Sequence, residues 1–226
     1  MDFKAGEIFA IDKPYRISSF GALAHVRYVL SRTLGYKVKI GHAGTLDPLA
    51  TGVLILCTGK ATKRIEEFQG HTKEYTATLQ LGATTASYDM EHEVNASFPT
   101  EHITRELIND TLPQFIGDIE QIPPTYSAVK VNGDRAYELR RAGEEVKLKP
   151  KHIHIDEIEV VDFDVEKMQL SLRVVCGKGT YIRALARDLG RALNSGAYLT
   201  ALRRTRVGDF TIDRCFDYEH IREWIE

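Results

Sequence analysis

The chain has 226 residues, 43% of them hydrophobic and 27% charged, with a formal net charge of −2 and a pI near 6.5. That length supports one large domain or two small ones with a buried core. No apolar run nears the roughly 18 residues that span a bilayer, no basic-then-apolar leader opens the sequence, and Cys57, Cys176 and Cys215 lie far apart without a Cys-x-x-Cys, which argues against a disulfide framework and fits a reducing cytoplasm.

Ile8 to Asp12 reads as a strand ending at Lys13-Pro14. Ser18 and Ser19 are candidate N-caps for a helix through Ser31, with Leu23, Val26 and Leu30 on its apolar stripe. The stretch Gly41-His42-Ala43-Gly44-Thr45-Leu46-Asp47-Pro48-Leu49-Ala50-Thr51-Gly52 carries three glycines and a proline, so a shaped loop is expected rather than a helix or strand. Val53 to Cys57 is a short apolar run suited to a buried strand, and Lys60 to Phe68 a short helix. Lys73 to Leu81 alternates, with Tyr75, Ala77, Leu79 and Leu81 on one face. A helix is expected over Glu101–Leu112, a strand over Thr125–Val131 after Pro123-Pro124, and a helix from Asp134 to Arg141 stopped by Gly143. Strands follow over Ile153–Val165 and Met168–Cys176, a helix over Thr180–Leu193, a strand-like piece to Phe210 and a short terminal helix. Strands and helices mix without a βαβ rhythm, so the class is α+β on a mixed, largely antiparallel sheet. The chain reads as a single domain with a possible lobe around residues 85–150.

The charge is unevenly spread. Met1 to Lys73 holds eleven Lys and Arg against six acids, Lys178 to Arg206 seven against one, and His154 to Glu166 six acids and no Lys or Arg. Such runs ordinarily mark solvated faces. The alternative is a basic surface, built from the two ends of the chain, that meets an anionic partner.

Gly59-Lys60 fails the Walker A test, because Leu54 and Ala61 stand where Gly and Ser or Thr are required. The eight histidines are scattered and form no matched ligand set, so no metal is expected. Asp47 is open to three readings: a nucleophile, a general base, or a turn residue that accepts backbone N–H groups, the commonest of the three in a Gly/Pro loop. Tyr75 reads either as core packing or as a platform for a flat ligand. Arg183, Arg187 and Arg191 form a stripe that ordinarily would be a solvated basic face. Arg183 falls in the first helical turn, against the helix dipole, so it calls for a partner. With Lys178 and the backbone amides there, it would suit a phosphate or carboxylate.

Taken together and in order, several blocks resemble the TruB-type tRNA pseudouridine synthases. They are Asp12-Lys13-Pro14 with Ser18-Ser19, the Gly41–Gly52 block around Asp47, Lys73-Glu74-Tyr75, Gln121-Ile122-Pro123-Pro124-Thr125-Tyr126-Ser127-Ala128-Val129-Lys130, Gly177-Lys178-Gly179-Thr180-Tyr181-Ile182-Arg183, and Leu202-Arg203-Arg204-Thr205. The resemblance spans nearly the whole chain. It implies a pseudouridine-synthase fold, a curved sheet with flanking helices and a central RNA-binding cleft. It also implies isomerisation of a uridine in the tRNA T loop without cofactor or metal, by a cytoplasmic monomer whose partner is the tRNA T arm. Asp47 would be the nucleophile, Arg183 would hold it ionised and aimed, and Tyr75 would stack on the flipped uracil. His42 would stand in for the displaced base, Leu202 would line the pocket, and Lys13 would support the site and RNA. Gly44, Thr45, Asp89 and Lys178 complete the expected RNA-facing set. The chain departs from the pattern at Ala43, at Ala86 where an Asp is common and at His92 where a Gly is common, and the PUA module that many members carry is not expected within these 226 residues. Two other activities fit an aspartate in a basic setting. One is a nucleoside or glycoside hydrolase, which commonly needs a second carboxylate; the other is an RNA-folding chaperone that clamps the T arm.

Overall fold

The computed structural model describes residues 1–127, 129–131, 133–144 and 146–224. In chain order the elements are β1 (Ile8–Lys13), α1 (Ser19–Leu34), β2 (Ile40–Ala43), β3 (Thr51–Thr58), α2 (Ile65–Gly70), β4 (Lys73–Leu81), β5 (Ala83–Thr85), β6 (Val94–Ser97), α3 (Arg105–Thr111), β7 (Gly117–Gln121), β8 (Lys130–Val131), β9 (Asp134–Arg135), α4 (Ala136–Arg141), β10 (Lys151–Asp164), β11 (Gln169–Cys176), α5 (Ile182–Ala192), β12 (Ala197–Val207) and β13 (Phe210–Thr211). The chain divides into two compact units, Met1–Thr76 with Leu202–Glu226, and Ala77–Ala201. The chain passes from one to the other within β4 and again within β12.

In the first unit β3 is the central strand. It pairs antiparallel with β1, from Ile8 opposite Cys57 to Lys13 opposite Gly52, and with β2. It runs parallel to the end of β12, with Arg203 opposite Thr51 and Arg204 opposite Gly52. All of β3 but Thr51 is buried, as its unbroken apolar run demands: a strand covered on both faces shows no alternation. Leu54 and Leu56 pack with Phe9, Ile11, Leu23, Val26, Leu30 and Trp224, while Val53, Ile55 and Cys57 pack with Phe68 and Val207. The Ser18 hydroxyl accepts from the Gly21 N–H at 3.0 Å and caps α1; the helix runs past Ser31 to Leu34 and stops at Gly35, whose φ is 73°.

The expected loop over Gly41–Gly52 is shorter than its composition suggests. Ile40–Ala43 forms β2 and Thr51-Gly52 begin β3, leaving Gly44–Ala50 as the loop. Gly41 packs on α2, where a Cβ would stand 2.6 Å from the end of the Ile65 side chain, Cδ1. Gly52 is required twice over: its φ is 106°, and a Cβ would lie 2.1 Å from the Arg204 carbonyl oxygen of the neighbouring strand.

In the second unit the sheet order is β4-β11-β10-β7, with the start of β12 beside β4. β10 is antiparallel to both β11 and β7. The alternation read from Lys73–Leu81 matches β4 residue for residue, with Ala77, Leu79 and Leu81 on its buried face. α5 buries Leu185 and Leu189. The class is therefore α+β with a mostly antiparallel sheet, as expected. Some boundaries move. The helix over Lys60–Phe68 is a 3₁₀ stretch, Gly59–Arg64, followed by α2. α3 begins only at Arg105, where the Thr104 hydroxyl accepts from the Leu107 N–H at 3.2 Å. Thr125–Ser127 is irregular, and of the strand expected there Lys130–Val131 forms while Ala128 lies outside the described residues. α5 starts at Ile182 rather than Thr180, because Gln121 accepts from the Tyr181 N–H at 2.9 Å and donates to its carbonyl at 3.2 Å, holding Tyr181 extended.

Candidate active site

The Asp47 loop is held by its main chain at three points. Ser19, at the start of α1 and 1% exposed, accepts from the Leu46 N–H at 2.8 Å and donates to the Leu46 carbonyl at 3.0 Å. Lys13, at the end of β1 and fully buried, donates to the carbonyls of Pro14 at 2.8 Å, Ile17 at 2.6 Å and Pro48 at 3.4 Å. Arg204 on β12, also buried, donates from Nε to the Val53 carbonyl at 2.8 Å and from Nη2 to the Gly44 carbonyl at 3.0 Å. Within the loop the Ala50 N–H returns to the Asp47 carbonyl at 3.1 Å. Both neighbours of Asp47 are thus fixed, while its own side chain is only half-buried. This is how a scaffold presents one reactive group without letting it wander.

Burial brings the Lys13 ammonium down to about 8, opposed by the attraction of Asp47 and Asp12 and aided by Arg204. Burial, and then the positive charge of Arg204, lowers the His42 imidazole below its ordinary value, so the ring favours its neutral form. Asp12 is engaged by Arg203, with contacts of 2.6 and 3.2 Å to its two oxygens, the planar fork that arginine forms with a carboxylate.

In the second unit the helix-start arginine has the partner that its position demanded. Arg183 is 4% exposed, and its Nε lies 3.6 Å from an Asp89 oxygen. Nη1 donates to the Ser87 carbonyl at 3.1 Å and Nη2 to the Tyr126 carbonyl at 2.9 Å. The solvated-stripe reading of α5 fails at Arg187 as well. That side chain is 8% exposed, clasps Asp188 at 2.8 and 3.0 Å, donates to the Ile122 carbonyl at 2.8 Å and sits over the Tyr88 ring; Arg191 alone of the three is exposed. With Arg204 also inside, much of the basic charge that suggested a surface is spent on carbonyls and carboxylates of the protein itself.

The first unit therefore gathers Lys13, His42, Gly44 and Asp47 around Arg204, and the second gathers Asp89 with Arg183. Tyr75 lies on the buried face of β4 and Leu202 is half-buried on β12, whereas Thr45 and Lys178 are exposed. Nothing in the sequence marks a role for Arg204, Gln121 or Ser87, and Ser19, though part of a matching block, reads there as a cap. Arg204 sat inside a quoted block, but β12 breaks its alternation between Leu199 and Val207, so no period of two marks it as inward-facing.

Residues 31–182 match the profile of the TruB family pseudouridylate synthase N-terminal domain, and 183–226 that of the tRNA pseudouridylate synthase B C-terminal domain. The chain belongs to the TruB family. It is 62% identical over 229 residues to the tRNA pseudouridine synthase B of Bacteroides thetaiotaomicron, covering 100% of this chain and 95% of that one. It is 61% identical over 227 residues to that of Phocaeicola vulgatus, covering 100% and 96%. Among solved structures it is similar to a chain of a Cbf5–Nop10–Gar1 complex, with a TM-score of 0.72, 28% identity and coverage of 99% of this chain. The TruB-family chain described here spans only 56% of that longer chain.

Proposed function

We propose that this TruB-family chain converts uridine to pseudouridine in the T loop of tRNA, with Asp47 as the nucleophile. The observation that carries the reading is the presentation of Asp47: a half-buried carboxylate on a loop whose main chain is gripped at Gly44, Leu46 and Pro48. Full-length relatives named tRNA pseudouridine synthase B support the substrate class. The chemistry is balanced without a redox partner. The bond from C1′ to N1 breaks, C5 bonds to C1′, the proton on C5 leaves and N1 gains one. A uridine inside a folded loop is out of reach and must be flipped, at a cost of a few kcal/mol. Stacking on Tyr75 returns about 1–3 kcal/mol, and the neutral His42 ring fills the gap left in the T loop. Arg183 supplies the cation that aims the carboxylate, and Leu202 lines the uracil pocket. Lys13 and Asp89, both buried, act from behind, on the Asp47 loop and on Arg183. Thr45 and Lys178, both exposed, face the RNA with the Gly44 backbone. The reading implies a monomer working in the cytoplasm, a compartment that suits Cys57, Cys176 and Cys215 as thiols outside any disulfide.

The hydrolase alternative needs a second carboxylate to work beside Asp47, and Asp12, which shares the Lys13 neighbourhood, is occupied by Arg203. The test is release of tritium from C5 of uridine in a T-arm hairpin. Asp47→Asn should abolish release while leaving RNA affinity unchanged, and Arg183→Lys should lose most activity, because a point charge does not replace a planar fork. Retained turnover by Asp47→Asn would refute the assignment. Free uracil in the wild-type reaction would favour the hydrolase, and tRNA refolding with neither product the chaperone.

A further inference from the structure

We propose that His92 is a positioning residue for Arg183, working through Ser87 and Asp89 on one side and through Tyr126 on the other. The inference rests on the function proposed above, in which Arg183 must be held in one pose. Ser87 is fully buried, and its hydroxyl lies 2.5 Å from Asp89 Oδ1 and 3.0 Å from His92 Nδ1. A hydroxyl has one proton. Asp89 Oδ1 accepts it, together with the Glu91 N–H at 2.9 Å, so the contact from His92 must be an N–H given to the Ser87 oxygen. That fixes the tautomer with its proton on Nδ1 and orders the chain of donors: His92 to Ser87, Ser87 to Asp89 Oδ1, with Asp89 Oδ2 facing Arg183 Nε at 3.6 Å.

The same imidazole lies against the Tyr126 ring, with centroids 4.5 Å apart. Tyr126 and Ser87 supply the two carbonyls that receive Arg183 Nη2 and Nη1. His92 therefore touches both residues that fix the guanidinium in its plane, and through Ser87 it orients the carboxylate that faces its third edge. A glycine at position 92, the residue common in the resemblance, would supply neither the donor nor the ring. Here that bracing comes from one half-buried side chain.

The experiment measures single-turnover rate at saturating T-arm RNA, RNA affinity, and solvent exchange of the Arg183 Nε–H by NMR in the free protein. His92→Phe keeps a ring against Tyr126 and removes the donor. Its rate should fall about tenfold, part of the roughly hundredfold that a displacement of 1 Å costs, with affinity unchanged and Nε–H exchange faster. His92→Asn, which returns an N–H near the place of Nδ1, should recover most of the rate. In a Ser87→Ala background, His92→Phe should cause no further loss, since the link is already cut. A wild-type rate and unchanged Nε–H exchange in His92→Phe would overturn the proposal, as would weaker RNA binding at an unchanged rate, or losses that multiply in the double variant. Failure of the wild type to form pseudouridine would count against the function alone, because the exchange measurement reads the position of Arg183 without turnover.

Discussion

Replacing Ser19 with alanine removes one side-chain oxygen, and the structure sets what that should cost. The hydroxyl serves both polar groups of Leu46 inside the protein, accepting at 2.8 Å and donating at 3.0 Å. Ser19 is 1% exposed and Leu46 3%, so water does not readily take its place. Each buried backbone group left without a partner costs about 1–3 kcal/mol; for two groups sharing one site, with some relaxation, about 2–4 kcal/mol is expected. At roughly 2–4 °C per kcal/mol for a chain of this size, the melting temperature should drop by about 5–15 °C. The functional cost follows from position. Leu46 immediately precedes Asp47, so releasing it lets the carboxylate drift, and a drift of about 1 Å is worth up to a hundredfold in rate. Ser18→Ala is the control, because that neighbour caps α1 through Gly21 without touching the loop. It should cost about 1 kcal/mol and leave the rate as it was. Thermal melts and C5-tritium release at saturating RNA measure both. If Ser19→Ala retained the wild-type rate and melted no lower than Ser18→Ala, the idea that this hydroxyl holds the Asp47 loop would be wrong.

Two further predictions concern the same region. Arg204→Met leaves the Val53 and Gly44 carbonyls without their donor and should cost about 2–5 kcal/mol. Removing that charge should also raise the titration midpoint of His42 by NMR, though not to its ordinary value, because burial is the larger cause of its depression; an unmoved midpoint would exclude Arg204 as a contributor. For Lys13, the folded value of about 8 lies below the 10.5 of an unperturbed lysine. Between these pH values the unfolded chain binds more protons than the folded one, so the cost of burying the Lys13 ammonium shrinks as pH rises through the window and returns as pH falls back through it. The total is about 3 kcal/mol. Urea denaturation of the wild type and Lys13→Met across pH 8–10.5 should show the gap moving in favour of the wild type, and a constant gap would contradict the depressed value.

Where a side chain's fate is decided by its neighbours in sequence, the structure could be anticipated. β4 follows its alternation to the residue, and α1 begins where a serine can cap it and the apolar spacing starts. Where tertiary contact decides, local rules misled. Gly41 reads as a turn glycine, yet it belongs to a strand packed against Ile65. Arg187 reads as solvated on a helical wheel because nothing in α5 reveals that the Ile122 carbonyl and the Tyr88 ring close over it. Asp47 and Arg183 could be singled out by loop chemistry and by the helix dipole. Ser19 and Arg204 could not, because their role lies in backbone atoms 27 and 160 positions away in sequence.

The three grips on the Asp47 loop all close on main-chain atoms, and they come from a helix start, a strand end and a strand far along the chain. The loop is consequently not a portable module. Grafting residues 44–50 alone onto another scaffold would transfer the aspartate and lose its posture. A faithful transplant would have to carry Ser19, Lys13 and Arg204 with it, whereas a side chain such as exposed Thr45, which none of the three grips touches, could be exchanged freely as far as the loop's path is concerned.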